Sequence, residues 1–420
     1  MAGWSVSAAD GARALGTLSA PGFPDPDMSS TRITLPPPMV GSPRRRRRWP
    51  YVLLGVGVVV GAAVLYCALA TAPYYELLPG QAQSVAGLIT VPNGSAHHES
   101  GRLLLTDVEV DTMKYLQFVP AWFDPNATVV SAGELTANLP ASEFDAQGTV
   151  DMSESQLIAS AVALRQLGYS VPEHDVGTTV YVIQPGSPAW DQHALQVGDV
   201  VTAIDGVPTP NPQALVAATR THQPGDTITL QVGTIDHPTP GRAVSLKLGS
   251  MRTTGGKVEP LIGIGDKSAQ IASMGTQPAY EYPFAVHINS DNIGGPSAGL
   301  AFTLGVVNSL TGGQLTGGHI VAATGTIHPD GTIGDVGGVA QKTVAVQRAG
   351  ATLFLVPSQE LAVAQSKATG KLKVMGVSSL SQALQDLARI GGHLGAAANG
   401  PPAGAGGHSV PYDWQDSPWT

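Results

Sequence analysis

The sequence predicts a mixed α+β fold behind one N-terminal transmembrane helix. Residues 49–75 of the 420 carry no charge. Residues 178–248 alternate short β-branched runs with turns marked by Gly and Pro. Residues 251–390 mix strand runs with helical spacing, as an α+β or α/β domain does. The length allows two or three domains.

Hydrophobic residues make up 43% and charged residues 13%, a low charge density that reflects 51 Gly, 33 Pro and the apolar segment. The net charge of −9 is unevenly spread. Residues 1–48 hold seven Arg and three Asp, net +4, whereas the remainder holds 15 basic and 28 acidic residues, net −13. An acidic body argues against a nucleic-acid partner. The single cysteine, Cys67, rules out an intrachain disulfide and reads as a small hydrophobe inside the apolar segment.

Residues 1–48 are rich in Pro, Gly, Ser and Ala, lack sustained periodicity, and read as a disordered cytoplasmic tail. The tail ends in Arg44–Arg48. The charge-free run from Trp49 to Tyr75 follows, long enough to span a bilayer, with Trp49, Tyr51, Tyr74 and Tyr75 at its ends as interfacial aromatics. Arginines ahead of the span place the N-terminus in the cytoplasm and the body outside, a single-pass topology in the cell membrane. A cleaved signal peptide is the competing reading; its apolar core is shorter and starts near residue 1, so a segment beginning at Trp49 favours an uncleaved anchor.

Residues 76–160 read as a strand-rich part, with LITVP, GRLLLTDVEV, KYLQFVPAWF and TVVSA as strand-like runs. Residues 152–169 then show helical spacing, with Leu157, Ala161, Leu164 and Gly168 on one face and Ser153 as a cap. Over 161–250 the order is strand (TTVYVI), turn (QPGSPA), strand closing on Asp205-Gly206, short helix (NPQALVAATRTH) and two strands (TITLQVG, AVSLKLG). The string VYVIQPGSPAW…LQVGDVVTAIDGVPT resembles a PDZ domain through Gly186, Ser187, Pro188, Ala189, Leu195, Gly198, Asp199, Ile204 and Gly206. That resemblance implies binding of an extended peptide at a sheet edge, with Leu167-Gly168-Tyr169 as the candidate carboxylate loop. A domain used for packing or gating is the other reading.

Residues 251–390 contain a strand (EYPFAVHINS), a glycine turn leading into a helix (NIGGPSAGLAFTLGVVNSL), and a hairpin turning at Asp330-Gly331. A helix ended by Gly350, a buried strand (ATLFLVP) and an amphipathic helix (SLSQALQDLARI) follow. Residues 391–420 read as a disordered C-terminal tail.

Ser297 opens a helix and is either its N-cap or a nucleophile. Gly294, Gly295 and Gly299 clear side chains from its surroundings, and a helix N-terminus offers free N–H groups to a developing oxyanion. Lys342 has apolar or glycine neighbours at i±3 and i±4 and no acid to pair with. It either snorkels to water or is desolvated and able to take a proton. His287, His319 and His328 have no spacing that demands a role. No metal motif and no GxxxxGK[ST] phosphate loop occurs.

The order Gly295-Pro296-Ser297-Ala298-Gly299, then Thr324-Gly325 and Asp330-Gly331-Thr332, then Gly337-Gly338 and Lys342, resembles the proteolytic domain of the Lon-type serine proteases. The resemblance implies catalytic Ser297 and Lys342, with Thr324, Gly295 and Pro296 in support and no cofactor or metal. It departs at Gly294, where ATP-dependent Lon commonly has an acid three residues before the serine. The order of anchor, PDZ-like and Lon-type parts resembles the PDZ-containing Lon-like membrane proteases of Gram-positive bacteria. This implies ATP-independent cleavage of unfolded or flexible polypeptides and a homo-hexameric ring. A membrane-tethered PDZ adaptor with a catalytically silent domain is the alternative.

Overall fold

The computed structural model describes residues 49–92, 101–136, 139–253, 255–265, 274–290 and 293–394. Residues 1–48 with their arginine run, Asn292, and the C-terminal tail beyond 394 lie outside the described residues.

Helix α1 (Trp49–Leu69) has 21 residues. At 1.5 Å per residue it is about 31 Å long, the thickness of a bilayer's hydrocarbon core. Among the described residues it is the one helix long and apolar enough to cross a membrane. It stops short of Tyr75 because Thr71-Ala72-Pro73 brings a β-branched residue and then a proline, which cannot donate to a helix.

The chain continues through β1 (Thr71–Ser84), β2 (Ile89–Thr90), β3 (Arg102–Lys114), α2 (Phe118–Phe123), β4 (Thr128–Ser131), α3 (Ala132–Thr136) and α4 (Ala141–Gln166). Next come β5 (Glu173–Val180), α5 (Pro188–Asp191), β6 (Asp199–Ile204), β7 (Val207–Pro208), α6 (Pro212–Thr219), β8 (Thr227–Thr234) and β9 (Arg242–Lys247). Strands β10 (Gly249–Arg252), β11 (Val258–Leu261), β12 (Met274–Tyr280) and β13 (His287–Ile288) lead to α7 (Gly299–Leu310). The remainder is β14 (Ile320–Ala323), β15 (Thr326–Ile327), β16 (Ile333–Gly334), α8 (Val339–Arg348), β17 (Leu353–Pro357), α9 (Leu361–Lys367), β18 (Lys373–Val377) and α10 (Leu380–Arg389).

Two sheets organise these elements. The first has the order β18-β17-β14-β3-β1-β4. Its four strands from β18 to β3 run parallel, and β1 and β4 are antiparallel additions. Strand β17 is buried at every position, as expected where helices cover both faces of a sheet. On one face Leu164, Phe302, Leu304 and Leu384 from α4, α7 and α10 pack on Leu103 and Leu355. On the other, Val346 and Ala364 from α8 and α9 pack on Leu104 and Phe354.

The second sheet, β12-β5-β6-β8-β9 with β7 beside β6, has its own core of Ile204, Leu215, Ile228 and Leu246. Its β6–β7 turn is Asp205-Gly206, both at positive φ (47° and 81°), the hairpin turn expected from sequence. The first sheet draws strands from both 71–131 and 320–377, so residues 173–280 form an insertion between α4 and α7. Strand β12, expected to lie in the C-terminal part, pairs with β5 and closes the inserted sheet. The Tyr181 hydroxyl donates to Glu154 on α4 and ties the insertion to the body.

Several local expectations are corrected. Helix α4 begins at Ala141, so Ser153 lies in its middle and caps nothing; Gly168, at φ 85°, is a left-handed stop beyond its end. Of KYLQFVPAWF all but Lys114 is helical rather than extended, with Pro120 in the first turn of α2, where a missing N–H has no intrahelical partner to lose. Of EYPFAVHINS only His287–Ile288 pairs as strand. Residues 391–393, expected in the tail, are held by bonds from Gly392 N–H to Leu387 C=O and from His393 N–H to Gln314 C=O.

Candidate active site

Ser297 lies in a single 3-10 turn, Pro296–Ala298, that runs into α7. The turn's cap position belongs to Gly295 and that of α7 to Ala298, so Ser297 occupies neither. Gly295 has φ 83° and ψ 156°, a conformation essentially confined to glycine, and a Cβ there would meet nothing within 4 Å. The side-chain space at Gly295, two residues ahead of the half-buried serine, is open.

Contacts from two directions fix this turn. From α4, the Gly148 carbonyl accepts from Gly295 N–H at 2.7 Å, and the Ser155 hydroxyl donates to the Pro296 carbonyl at 3.2 Å. From the end of β14, Thr324 Oγ1 and Gly325 N–H both donate to the Ser297 carbonyl, at 3.1 and 3.0 Å. Leu300 N–H returns a bond to the Gly325 carbonyl at 3.0 Å. The serine is thus presented by a turn whose Gly295 N–H and whose Pro296 and Ser297 carbonyls are already paired.

Lys342 reaches the same place from α8. That helix starts at Gly338, whose φ of 67° favours glycine and whose Cβ would sit 2.6 Å from Val108 Cγ2. The close approach lets α8 lie against β3. Lys342 is 3% exposed and its Nζ donates to Thr324 Oγ1 at 3.4 Å. Thr324 is fully buried. Among the described residues, the path from the lysine to the serine residue is therefore Nζ to Thr324 hydroxyl to Ser297 carbonyl. Burial pushes the Lys342 ammonium down from 10.5 to about 8, partly offset by attraction to Glu360 and Asp107. Desolvation outweighs those two charges, and the surface-snorkelling reading is replaced by that of a buried amine.

Glu360, at the start of α9, shares this environment. Its Oε1 accepts from Val336 N–H, just ahead of α8, while its buried Oε2 has no hydrogen-bond partner. Burial raises its carboxyl above the ordinary range. His319 and His328 are exposed and His287 is half-buried. Among the described residues, no group of three or more His, Cys, Asp or Glu side chains is placed to hold a metal.

A second groove lies in the inserted sheet. Leu215, Val216 and Thr219 of α6 face Ile262, Gly263 and Ile264 across it. The expected carboxylate loop at Leu167-Gly168-Tyr169 is elsewhere: Leu167 and Tyr169 pack on the core of the first sheet, and Tyr169 stacks edge-on against Phe284. The signal missed was LIGIG, residues 261–265, where apolar residues alternate with glycines at φ 98° and 84°. Gly148 and Ser155 left no signal at all, being about 140 residues from their partners.

Residues 165–234 match the family model of the PDZ domain, and residues 268–389 match that of the Lon protease (S16) C-terminal proteolytic domain. A Lon protease of Chloroflexus aggregans is 31% identical over 93 residues, 21% of this chain and 11% of that protein. The chain therefore spans about a tenth of the length of that curated relative. Among solved structures, the PDZ domain of an SdrC-like protein from Listeria monocytogenes is 27% identical (TM-score 0.18) over 21% of this chain and 85% of that one. The counterpart from Listeria innocua is 26% identical (TM-score 0.18) over 22% and 93%. The chain carries a PDZ domain and a Lon-type proteolytic domain, which together support a peptidase.

Proposed function

We propose that the chain is a membrane-anchored serine endopeptidase that cleaves unfolded or flexible polypeptides outside the cytoplasm without ATP. The observation that carries this reading is the buried, depressed lysine amine bonded to a threonine that also holds the candidate nucleophile's backbone. At pH 7 a lysine titrating at about 8 is neutral in about a tenth of molecules, roughly 300 times the fraction for an ordinary lysine.

Ser297 Oγ attacks the scissile carbonyl carbon as its proton passes to neutral Lys342 Nζ. The carbonyl oxygen becomes an oxyanion, held by Ser297 N–H and a neighbouring backbone N–H at the mouth of α7. Collapse breaks the C–N bond, and the lysine proton goes to the leaving amine. Water, deprotonated by Lys342, then releases the acyl group and restores the serine. Thr324 orients the lysine, and Gly295 and Pro296 shape the turn. The PDZ groove presents or gates chains, and the proteolytic domain assembles as a homo-hexameric ring. The arginines ahead of α1 set the topology, with the body outside.

The test is hydrolysis of casein without nucleotide by the full chain in detergent, compared with Ser297→Ala and Lys342→Ala. Loss in both variants supports the dyad. Equal cleavage by all three overturns it, and cleavage that requires ATP overturns the ATP-independent reading.

A further inference from the structure

The segment after β3 bears an apolar surface that the proposed chemistry does not use. From Tyr115 to Phe123 (YLQFVPAWF) there is no charge, with Lys114 and Asp124 closing the run at either end. The short helix α2 turns these residues outward: Trp122 is 87% exposed and Phe123 81%, and Val119, Leu116 and Tyr115 are also exposed. Soluble surfaces carry single apolar residues but seldom a contiguous group with a tryptophan at its edge.

The position of this group indicates what covers it. Lys114 is paired with Thr71, two residues past the end of the apolar helix. Tyr115 N–H donates to the carbonyl of Ala70 at 3.4 Å, and the Tyr115 ring stacks on Tyr66 with centroids 6.3 Å apart. The exposed aromatics thus start at the level where the chain leaves the apolar helix. Tryptophan and tyrosine concentrate at that level of a bilayer, and short apolar helices lie in it.

From these contacts we infer that residues 115–123 insert into the lipid interface of the leaflet in which α1 ends, giving the protease body a second hold on the membrane. The inference rests on the reading of α1 as a membrane span. The hold is apolar. The nearby charges are mainly acidic: burial, and then repulsion from Asp124 and Asp111, raises the carboxyl of Glu76 on the neighbouring strand. Attraction to anionic headgroups is therefore not its source, and salt does not release it.

The test uses the full chain reconstituted in phosphatidylcholine vesicles. In a Cys67→Ser background, single cysteines replace Phe123, Val60 or exposed Lys371 and carry an environment-sensitive fluorophore. Doxyl-labelled phosphatidylcholine reports lipid contact and iodide reports water. The expected result is loss of emission to doxyl lipid but not iodide at positions 60 and 123, unchanged in 1 M salt, with the converse at 371. Iodide quenching at 123 with doxyl quenching at 60 would overturn the inference while leaving the span intact. Shielding of 123 from both quenchers would mean that protein covers the patch, which also overturns it. Absence of doxyl quenching at 60 would remove the span itself and the inference with it.

Discussion

Replacing Lys342 with Met should make the protein more stable as it abolishes proteolysis. The unfolded chain holds the Lys342 proton up to about 10.5, whereas the folded protein releases it at about 8. Between those values the unfolded state binds one more proton, so wild-type stability climbs with pH across this window and is flat below it. The span from 10.5 to about 8, at about 1.4 kcal/mol per pH unit, amounts to about 3 kcal/mol of destabilisation carried at pH 7. Met fills similar volume without charge, and Thr324 keeps its bond to the Ser297 carbonyl. The variant should therefore gain about 3 kcal/mol at pH 7, roughly 4–5 °C in unfolding midpoint for a body of about 320 residues. The gain should shrink above pH 8 and vanish near 10.5. Thermal unfolding of both proteins at several pH values between 7 and 10.5 reads it directly. A variant no more stable than wild type at pH 7, or a stability difference between the two proteins that stays constant from pH 8 to 10.5, refutes the buried-amine account.

Ser297→Ala deletes one oxygen from a turn held by backbone bonds, so casein cleavage should fall to background with the unfolding midpoint unchanged. The pH–rate profile of kcat/KM should rise through about 8 and level off, as protons leave Lys342. Glu360→Gln removes the larger of two attractions that retain the lysine's proton, so the profile's midpoint should move to lower pH. Thr324→Val loses both the acceptor for Lys342 and the donor to the Ser297 carbonyl; about a 100-fold loss of kcat is expected, with Thr324→Ser restoring most of it. In Gly299→Ala the new Cβ would lie 2.8 Å from both Ile327 Cγ2 and Ser155 Oγ, and chemical denaturation should register a loss of about 1–3 kcal/mol.

The elements read correctly from sequence are those whose signals are local. Helix α8 ends where Gly350 offers a left-handed stop, at φ 79°. The β15–β16 hairpin turns at Asp330-Gly331, and α6 starts where the Asn211 side chain accepts from Ala214 N–H. Strand β1 was hidden because Pro79 and Gly80 interrupt it and its register shifts between Pro79 and Ala82. The insertion was invisible for a different reason: β5 and β12 lie about 100 residues apart in the chain, and no periodicity reports a pairing at that range. At the site, composition and spacing left Ser297 and Lys342 each with an ordinary structural reading. Family resemblance implied roles for them and a support in Thr324, and the fold adds that Thr324 bonds to both residues.

The pairing of Glu173 with Tyr280 places the first and last residues of the inserted sheet opposite one another. Directly paired residues on antiparallel strands lie about 5 Å apart. The chain therefore leaves the body built on the first sheet and re-enters it at almost the same point. A short turn in place of residues 174–279 would span that gap, and would uncover Val150, Glu154 and Leu157 of α4, which the insertion meets through Val200, Ile235 and Tyr181. The inserted sheet is in this sense a cassette, joined to the body by two adjacent chain crossings and by the face it packs on α4.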